Sequence, residues 1–192
     1  MGKQNPELEQ FANLLVQGVK GLFKERGEIS FSKEPVLKRQ QITEYEGRMR
    51  VDGMIKFDNE PTYVAAVNYY ASAVEMQKKK ALGTLVVYVQ QEYVPKLIRS
   101  LQYPAIDDED EKAMLDSIGT LGNIIAGRFK SEVSAAGYIE LEMSAFNTFR
   151  NSAPTGIEFC FSEYELFEAA FDLEGKKRLV IDLSMGVVPK RR

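Results

Sequence analysis

Histidine is absent from this 192-residue chain, and cysteine occurs once, at Cys160. Without histidine the protein lacks the commonest general base and the usual ligand sets for zinc, copper and haem. A single cysteine excludes a disulfide within the chain. The chemistry open to this sequence is therefore metal-free or based on carboxylates, and we expect no cofactor.

An excess of positive charge and long apolar runs are missing as well. Lys and Arg number 25 against 28 Asp and Glu, a net charge of −3. Such a mildly acidic balance gives no electrostatic basis for binding nucleic acid. No window approaches the roughly 20 apolar residues of a membrane span, and the first residues lack an apolar run of signal length. The sequence therefore predicts a cytoplasmic protein that neither binds nucleic acid nor inserts into a membrane.

The first 27 residues carry the signals of an N-terminal helix. Asn5, Pro6 and Glu7 suit a cap, a first-turn proline and a first-turn acid. Apolar residues then recur at helical spacing, at Leu8, Phe11, Ala12, Leu15, Val19, Leu22 and Phe23. Gly27 is expected to end this helix.

Alternating or continuous apolar runs predict the strands. The predicted strands are residues 48–57, 62–74, 83–89, 138–143, 157–161, 167–173 and 178–183. The run at 83–89 is nearly all apolar, which predicts a strand in the middle of a sheet, buried on both faces. Residues 174–177 are predicted to form a hairpin turn, and the basic end at 187–192 is predicted to be a frayed tail.

These elements predict an α+β fold. An amphipathic helix is expected over 94–101 and a long helix up to Ala136, after an acidic loop and helix N-terminus at 107–111. With the N-terminal helix they give about three helices on one face of a mostly antiparallel sheet. The length of 192 residues predicts a single domain over residues 1–192.

The long helix contains three glycines, Gly119, Gly122 and Gly127. Because a glycine inside a helix costs about 1 kcal/mol relative to alanine, their presence requires a compensating reason. At 100° per residue the helix divides into two opposite stripes. The apolar stripe, predicted to face the core, is Met114, Ile118, Leu121, Ile125 and Phe129. The polar stripe, predicted to face water or a partner, is Asp116, Thr120, Asn123, Gly127 and Lys130.

The polar stripe is the main candidate for chemistry. No glycine-rich phosphate loop follows a strand, and the lone Cys160 is predicted to be a buried structural thiol. Asn123 has poor helix propensity, and its carboxamide can accept and donate hydrogen bonds at once, so it can orient a water for attack on a phosphoryl group. The alternative is an ordinary solvated or packing Asn123, with glycines that let another helix approach.

The segment Asp116-x3-Thr120-x2-Asn123-Ile-Ile-Ala-Gly127 resembles the CheX and CheC family of bacterial chemotaxis phosphatases. The signature of that family is Asp or Ser, three residues, Glu, two residues and Asn. The likeness covers about residues 45–186 in pattern, including the strand and helix that precede the motif and the strands that follow it. The helix motif is its distinctive part.

The resemblance implies that the long helix docks on a phosphorylated response regulator of the CheY kind. Asn123 would orient the water that hydrolyses the aspartyl phosphate, and Asp116 matches the first motif position. Thr120 stands where the family has the Glu that bridges to a lysine of the regulator. A hydroxyl cannot make that charge-assisted bond, which is worth about 1.5–3 kcal/mol. Phe146 lies near the position of a family proline, and any Mg²⁺ would be carried by the receiver domain.

Two alternatives to a phosphatase stay open on the sequence. One is a catalytically degenerate module that binds a receiver without turnover, and the other is a structural homodimer in which the glycine stripe packs against another chain. A homodimer formed through sheet edges is also implied by the resemblance. Tyr63, Tyr69 and Tyr70 on the long strand are predicted to supply aromatic area to that interface.

Overall fold

The computed structural model describes residues 5–26 and 29–192, so the predicted helix end at Gly27 lies outside the described residues. The α-helices of this part of the chain are α1 (Leu8–Arg26), α2 (Ala73–Gln77), α3 (Val94–Ser100) and α4 (Glu111–Ala135). Its strands are β1 (Val36–Gln41), β2 (Glu44–Tyr45), β3 (Arg48–Asp52), β4 (Thr62–Tyr70), β5 (Gly83–Gln90), β6 (Glu142–Met143), β7 (Asn147–Arg150), β8 (Ser152–Ile157), β9 (Glu165–Leu173) and β10 (Lys176–Met185).

The larger sheet runs in the order β1-β9-β10-β5-β4, and β6 and β7 both pair with the remaining edge of β4. Its pairings are antiparallel. Val87 of β5 faces Ile181 of β10 on one side and Ala65 of β4 on the other. Every residue of β5 is buried, which confirms the prediction of a strand in the middle of a sheet.

Helices α1, α3 and α4 pack on one face of this sheet. Because successive strand residues point to opposite faces, alternate residues of each strand meet the helices. The predicted apolar stripe of α4 lies in this core, with each of its side chains at most 1% exposed: Met114, Ile118, Leu121, Ile125 and Phe129. The short α2 contributes no buried residue. The α+β fold with three helices on one face of a mostly antiparallel sheet is confirmed.

The opposite face is covered by a smaller sheet of order β2-β3-β8. Its apolar residues join the back of the larger sheet in a second core that includes Met49, Val51, Val64, Val86, Ile157 and Val180. The predicted strand over 48–57 stops at Asp52 and continues as a 3₁₀ turn, Met54–Phe57. The smaller sheet was not predicted, since its strands are short and partly polar.

β4 is an interior strand, which corrects the predicted role of its tyrosines. Tyr63, Tyr69 and Tyr70 are 3%, 0% and 4% exposed. The hydroxyl of Tyr69 donates a hydrogen bond to the backbone oxygen of Ala126 in α4 at 2.8 Å. These rings stabilise the core of their own chain, so they are not available to a second copy. The homodimer stays a prediction that depends on the resemblance alone, and the single domain also stays a prediction.

The segment predicted as a strand over 157–161 is a loop beyond its first residue, since β8 ends at Ile157. Cys160 lies in this loop and is half-buried, with its Sγ 3.1 Å from the Oγ of Ser162. The prediction of a buried thiol in a strand was therefore wrong. In this loop the backbone oxygen of Glu158 accepts from the side chains of Asn68 and Thr84 instead of from the backbone of a neighbouring strand, and the backbone N–H of Glu163 donates to the oxygen of Cys160 within the loop.

Both ends of the described chain are tied to the core. The Oδ1 of Asn5 accepts from the backbone N–H of Glu7 at 2.9 Å, as predicted for a cap, and its Nδ2 donates to the oxygen of Met185 at 2.8 Å. The basic end is not frayed, because Val188 is 2% exposed and the backbone N–H of Arg191 donates to Gly137. Among the described helices, none has the length and apolar character needed to cross a bilayer.

Candidate functional site

Helix α4 begins at the end of the acidic run, as predicted. Asp110 caps it, since its Oδ1 accepts from the backbone N–H groups of Lys112 at 3.0 Å and Ala113 at 3.3 Å. These N–H groups have no partner within the helix, and a side-chain acceptor satisfies them. The neighbouring carboxylates are exposed and complement the positive end of the helix dipole. The acidic run is therefore a solvated loop and a helix N-terminus.

The three predicted site residues follow one another along the exposed side of α4. Asp116 and Asn123 are exposed, and Thr120 between them is half-buried. Side chains three or four positions apart on a helix are neighbours, with Cβ atoms about 5–6 Å apart. The helix therefore places the Thr120 hydroxyl next to both other side chains.

The hydrogen bonds of these residues differ. The Thr120 hydroxyl donates to the backbone oxygen of Asp116 at 3.0 Å, a local bond that uses its proton and leaves its oxygen able to accept. Among the described residues no group forms a hydrogen bond with the Asn123 carboxamide. Its oxygen and its NH₂ group are therefore both available to water or to a partner.

Packing explains two of the three glycines in α4. A Cβ on Gly122 would lie 2.6 Å from the Cβ of Ala65, so the glycine lets α4 approach β4 closely. A Cβ on Gly119 would lie 2.3 Å from Cε2 of the Phe146 ring. A Cβ on Gly127 would meet nothing within 4 Å. Gly119 and Gly122 thus face groups of their own chain rather than another helix, and Gly127 leaves an open stretch on the polar stripe.

Phe146 borders the polar stripe. Its ring lies on Gly119, one turn before Asn123, and the side chain is 39% exposed. The loop that carries it is fixed between β6 and β7, since Asn68 and Ser144 exchange two hydrogen bonds of 2.9 and 3.0 Å. An exposed aromatic ring next to a free carboxamide suits contact with a protein partner. The sequence alone indicates for Phe146 only a place near the position of a family proline.

A buried charged cluster, which was not predicted from the sequence, lies on the opposite face of the sheet. The Nζ of Lys56 lies 2.6 Å from Glu168 and 3.0 Å from Asp182, and the three side chains are less than 10% exposed. Burial raises the pKa of Asp182, although Lys56 opposes this. Burial also acts to lower the pKa of Lys56, but the two carboxylates outweigh it and the pKa is raised. The sequence does contain an indication of this cluster, because Glu168 and Asp182 are each a charged residue within an otherwise apolar strand.

This cluster does not extend to a metal site. Within residues 5–26 and 29–192, no group of three or more His, Cys, Asp and Glu side chains converges as metal binding requires. The side chains of the polar stripe are likewise dispersed along the helix. What the stripe offers chemically is hydrogen bonding by a carboxamide and a hydroxyl on an open surface.

The fold is similar to those of solved chemotaxis proteins, whereas the sequence matches no protein-family model and no curated protein. The chemotaxis protein CheX from Desulfovibrio desulfuricans has a TM-score of 0.56 at 11% identity, covering 92% of this chain and 99% of that chain. FliY from Thermotoga maritima has a TM-score of 0.58 at 12% identity, covering 96% and 92%. CheX from Borrelia burgdorferi, solved in a complex with CheY, BeF3 and Mg, has a TM-score of 0.52 at 11% identity, covering 92% and 98%.

These similarities identify the fold. The chain has the fold of the CheX/CheC-like chemotaxis proteins over nearly its whole length, which confirms the fold that the resemblance implied. At 11–12% identity the likeness does not extend to the roles of individual residues.

Proposed function

We propose that the polar stripe of α4 docks on a phosphorylated CheY-like receiver domain, where Asn123 orients the water that hydrolyses the aspartyl phosphate. The observation that supports this most directly is the free carboxamide of Asn123, next to Thr120 on an open helix face. The fold adds support, because one protein that shares it was solved in a complex with CheY.

The proposed chemistry is positioning. A carboxamide oxygen can accept a hydrogen bond from a water while its NH₂ group donates to a phosphoryl oxygen, which holds the water in line for attack. Holding the two reactants in this geometry removes much of the entropic part of the barrier. The proposal assigns any Mg²⁺ to the receiver, where it would offset the charge of the phosphoryl oxygens.

Docking in this proposal uses Phe146 and the open backbone at Gly127. The Thr120 oxygen can accept a neutral hydrogen bond but cannot pair with an ammonium group by charge. The exposed ring of Phe146, fixed on Gly119, offers apolar area beside the carboxamide. The missing side chain at Gly127 leaves room for a partner to approach the helix backbone.

The test is the rate at which a receiver domain, phosphorylated by a small acyl phosphate, loses its phosphoryl group. The full chain is expected to accelerate this loss, and Asn123→Ala is expected to reduce the acceleration by about a hundredfold, the usual effect of removing one positioned hydrogen-bonding group. Asn13→Ala is the matched control, since Asn13 is another exposed asparagine within a helix. Equal rates with wild type, with Asn123→Ala and without the protein would rule out the catalytic role.

A degenerate binding module is the second candidate, supported by the local hydrogen bond of Thr120 and its lack of charge. In that case the protein binds a receiver activated by beryllofluoride and Mg²⁺ but leaves the phosphorylated receiver unchanged. Thr120→Glu discriminates the two, because restoring a charge-assisted bond is expected to raise the rate of a degenerate site by about one to two decades. If the protein binds the receiver but Thr120→Glu does not raise the rate of dephosphorylation, the docking face serves a function other than phosphatase activity.

A further inference from the structure

A cleft of about 610 Å³ opens between the end of α1, helix α3 and the β9–β10 turn, and we call it the α3 cleft. Its charged lining consists of three cations and one carboxylate: Arg26, Lys96, Arg99 and Glu174. The local charge is thus +2, three minus one, in a chain with a net charge of −3. Its volume lies within the range of about 300–1,000 Å³ that is typical of small-molecule sites.

The buried ring of Tyr93 contacts two cations, of which Lys96 belongs to the lining of the cleft. The Nζ of Lys96 lies 4.6 Å from the ring centroid and the Cζ of Arg178 lies 4.3 Å from it, both within cation–π distance. The Tyr93 hydroxyl donates to Glu174, and Lys96 approaches the same carboxylate at 3.4 Å. The carboxylate is therefore already engaged by a hydroxyl and an ammonium group.

Two guanidinium groups of the cleft are left over. Among the described residues, neither the Arg26 nor the Arg99 side chain lies within ion-pair distance of a carboxylate, although Arg128 and, to a smaller extent, the charge of Arg26 lower the pKa of Glu25. Ser30 and Gln102 add neutral hydrogen-bonding groups to the lining. A guanidinium fork matches the oxygens of a phosphate group, and several cations on one concave surface concentrate anions. The ring of Tyr93 already holds two cations, so it is not free to stack on a nucleobase.

We propose that the α3 cleft binds a small molecule through a phosphate or pyrophosphate group, with Arg99 and Arg26 as its main contacts and Lys96 as a further donor. The cleft recognises the phosphate or pyrophosphate group of the ligand, because its lining supplies cations and hydroxyl groups. This site is separate from the polar stripe of α4 and does not depend on docking to a receiver.

The test is isothermal titration of the full chain with inorganic pyrophosphate at low ionic strength. Saturable binding to one site is expected, and Arg99→Gln is expected to weaken it at least tenfold, since it removes a charge from the cleft. Lys78→Gln is the matched control, because it removes an equal charge from an exposed side chain after α2. The thermal midpoints of both variants are compared with wild type to verify folding. The absence of saturable binding, or equal affinity in wild type and Arg99→Gln, would overturn the proposal.

Glu174→Gln provides the opposite test. The amide keeps an acceptor for the Tyr93 hydroxyl but removes the carboxylate that repels an anion, so pyrophosphate is expected to bind several-fold more tightly. Unchanged or weaker binding would contradict a site bordered by Glu174. Asn123→Ala is expected to bind pyrophosphate like wild type, so failure of the receiver proposal and failure of this one are distinguishable.

Discussion

Asn123 is accessible because of the residues one turn before it and one turn after it. Positions four apart adjoin on a helix, so Gly119 and Gly127 are its neighbours along the axis, and neither has a side chain that could cover the carboxamide. The ring of Phe146 occupies the space at Gly119, whereas the space at Gly127 is open. The carboxamide thus lies between the Phe146 ring on one side and exposed helix backbone at Gly127 on the other.

The glycines of α4 predict opposite effects of the same substitution. Gly127→Ala is expected to stabilise the protein by up to about 1 kcal/mol, because alanine favours the helix and its Cβ meets nothing within 4 Å. Gly122→Ala is expected to destabilise it by about 1–2 kcal/mol, because the new Cβ would lie 2.6 Å from Ala65 in the interior strand β4, and overpacking outweighs the gain in helix propensity. Unfolding in urea measures both, and a similar stabilisation by the two substitutions would contradict the close approach of α4 to β4.

The helical period made the face of α4 predictable at this scale. It separated the buried Met114 and Phe129 from the exposed Asp116 and Asn123 correctly, since a helix fixes its own geometry. The reason for Gly122 was not predictable, because its partner Ala65 belongs to a strand far away in the chain. Local periodicity gives the direction of a side chain but not the group that it meets.

Among the elements, the hairpin of β9 and β10 shows how one irregularity creates a buried charged cluster. The pairing begins with Lys176 opposite Leu173, and a bulge between Lys177 and Leu179 shifts the register by one residue. The shift places Asp182 directly opposite Glu168. Like charges in this position repel, so the 3₁₀ turn that carries Lys56 is required to bring a cation between them. Apolar runs in a sequence predict a hairpin but not a bulge within it. The pairing of Asp182 with Glu168, which depends on the bulge, was therefore not predicted.

Lys56→Met is expected to destabilise the protein at neutral pH by about 3–5 kcal/mol, since it leaves two buried carboxylates without a cation. Burial already raises the pKa of Asp182, and loss of Lys56 removes the cation that opposes this rise. When the pKa of a carboxyl is higher in the folded than in the unfolded state, its contribution to stability is complete at a pH below the unfolded-state pKa. This contribution is lost as the pH rises through the folded-state pKa. The deficit is therefore expected to be smaller at pH 5 than at pH 7.5 in urea unfolding.

Two controls accompany that measurement. Lys78→Met removes an exposed lysine and is expected to change the free energy of unfolding by less than about 0.5 kcal/mol. Adding Glu168→Gln to Lys56→Met removes one of the two uncompensated charges and is expected to recover part of the loss. A Lys56→Met variant as stable as wild type at both pH values would show that the cation is dispensable.

For the whole molecule, the central sheet separates two cores of different predictability. The helix side follows from long amphipathic helices and apolar strands, and the sequence predicted it. The opposite side depends on β3 pairing with β8, where Met49 faces Ile157, and strands this short give little signal before a distant partner is known. The burial of Tyr63, Tyr69 and Tyr70 was missed for the same reason, since β6 and β7 arrive from beyond α4 to cover the edge of β4.

The buried tyrosines of both cores predict that the protein loses stability in alkali. Burial raises the pKa of Tyr69 and of Tyr88 well above 10, and it raises the pKa of Tyr70 and of Tyr138 to about 12. A tyrosine whose pKa is raised by folding makes its full contribution to the free energy of unfolding at a pH below its unfolded-state pKa. That contribution is lost as the pH rises through its folded-state pKa. The free energy of unfolding is therefore expected to fall above about pH 10, by up to about 1.4 kcal/mol per pH unit for each tyrosine that ionises only when unfolded.

Tyr69→Phe isolates one of these contributions, because burial is the cause of the raised pKa and, within the part of the chain that the structure describes, the Tyr69 hydroxyl bonds only to Ala126. At pH 8 the variant is expected to be less stable than wild type by about 1 kcal/mol, the value of a typical hydrogen bond. Above pH 10 the two stabilities are expected to converge, since only wild type has this tyrosine to ionise on unfolding. Tyr45→Phe, at an exposed position, is expected to follow wild type throughout. Urea unfolding at pH 8, 10 and 11 measures the difference, and a constant gap between Tyr69→Phe and wild type would show that Tyr69 has no part in the alkaline loss.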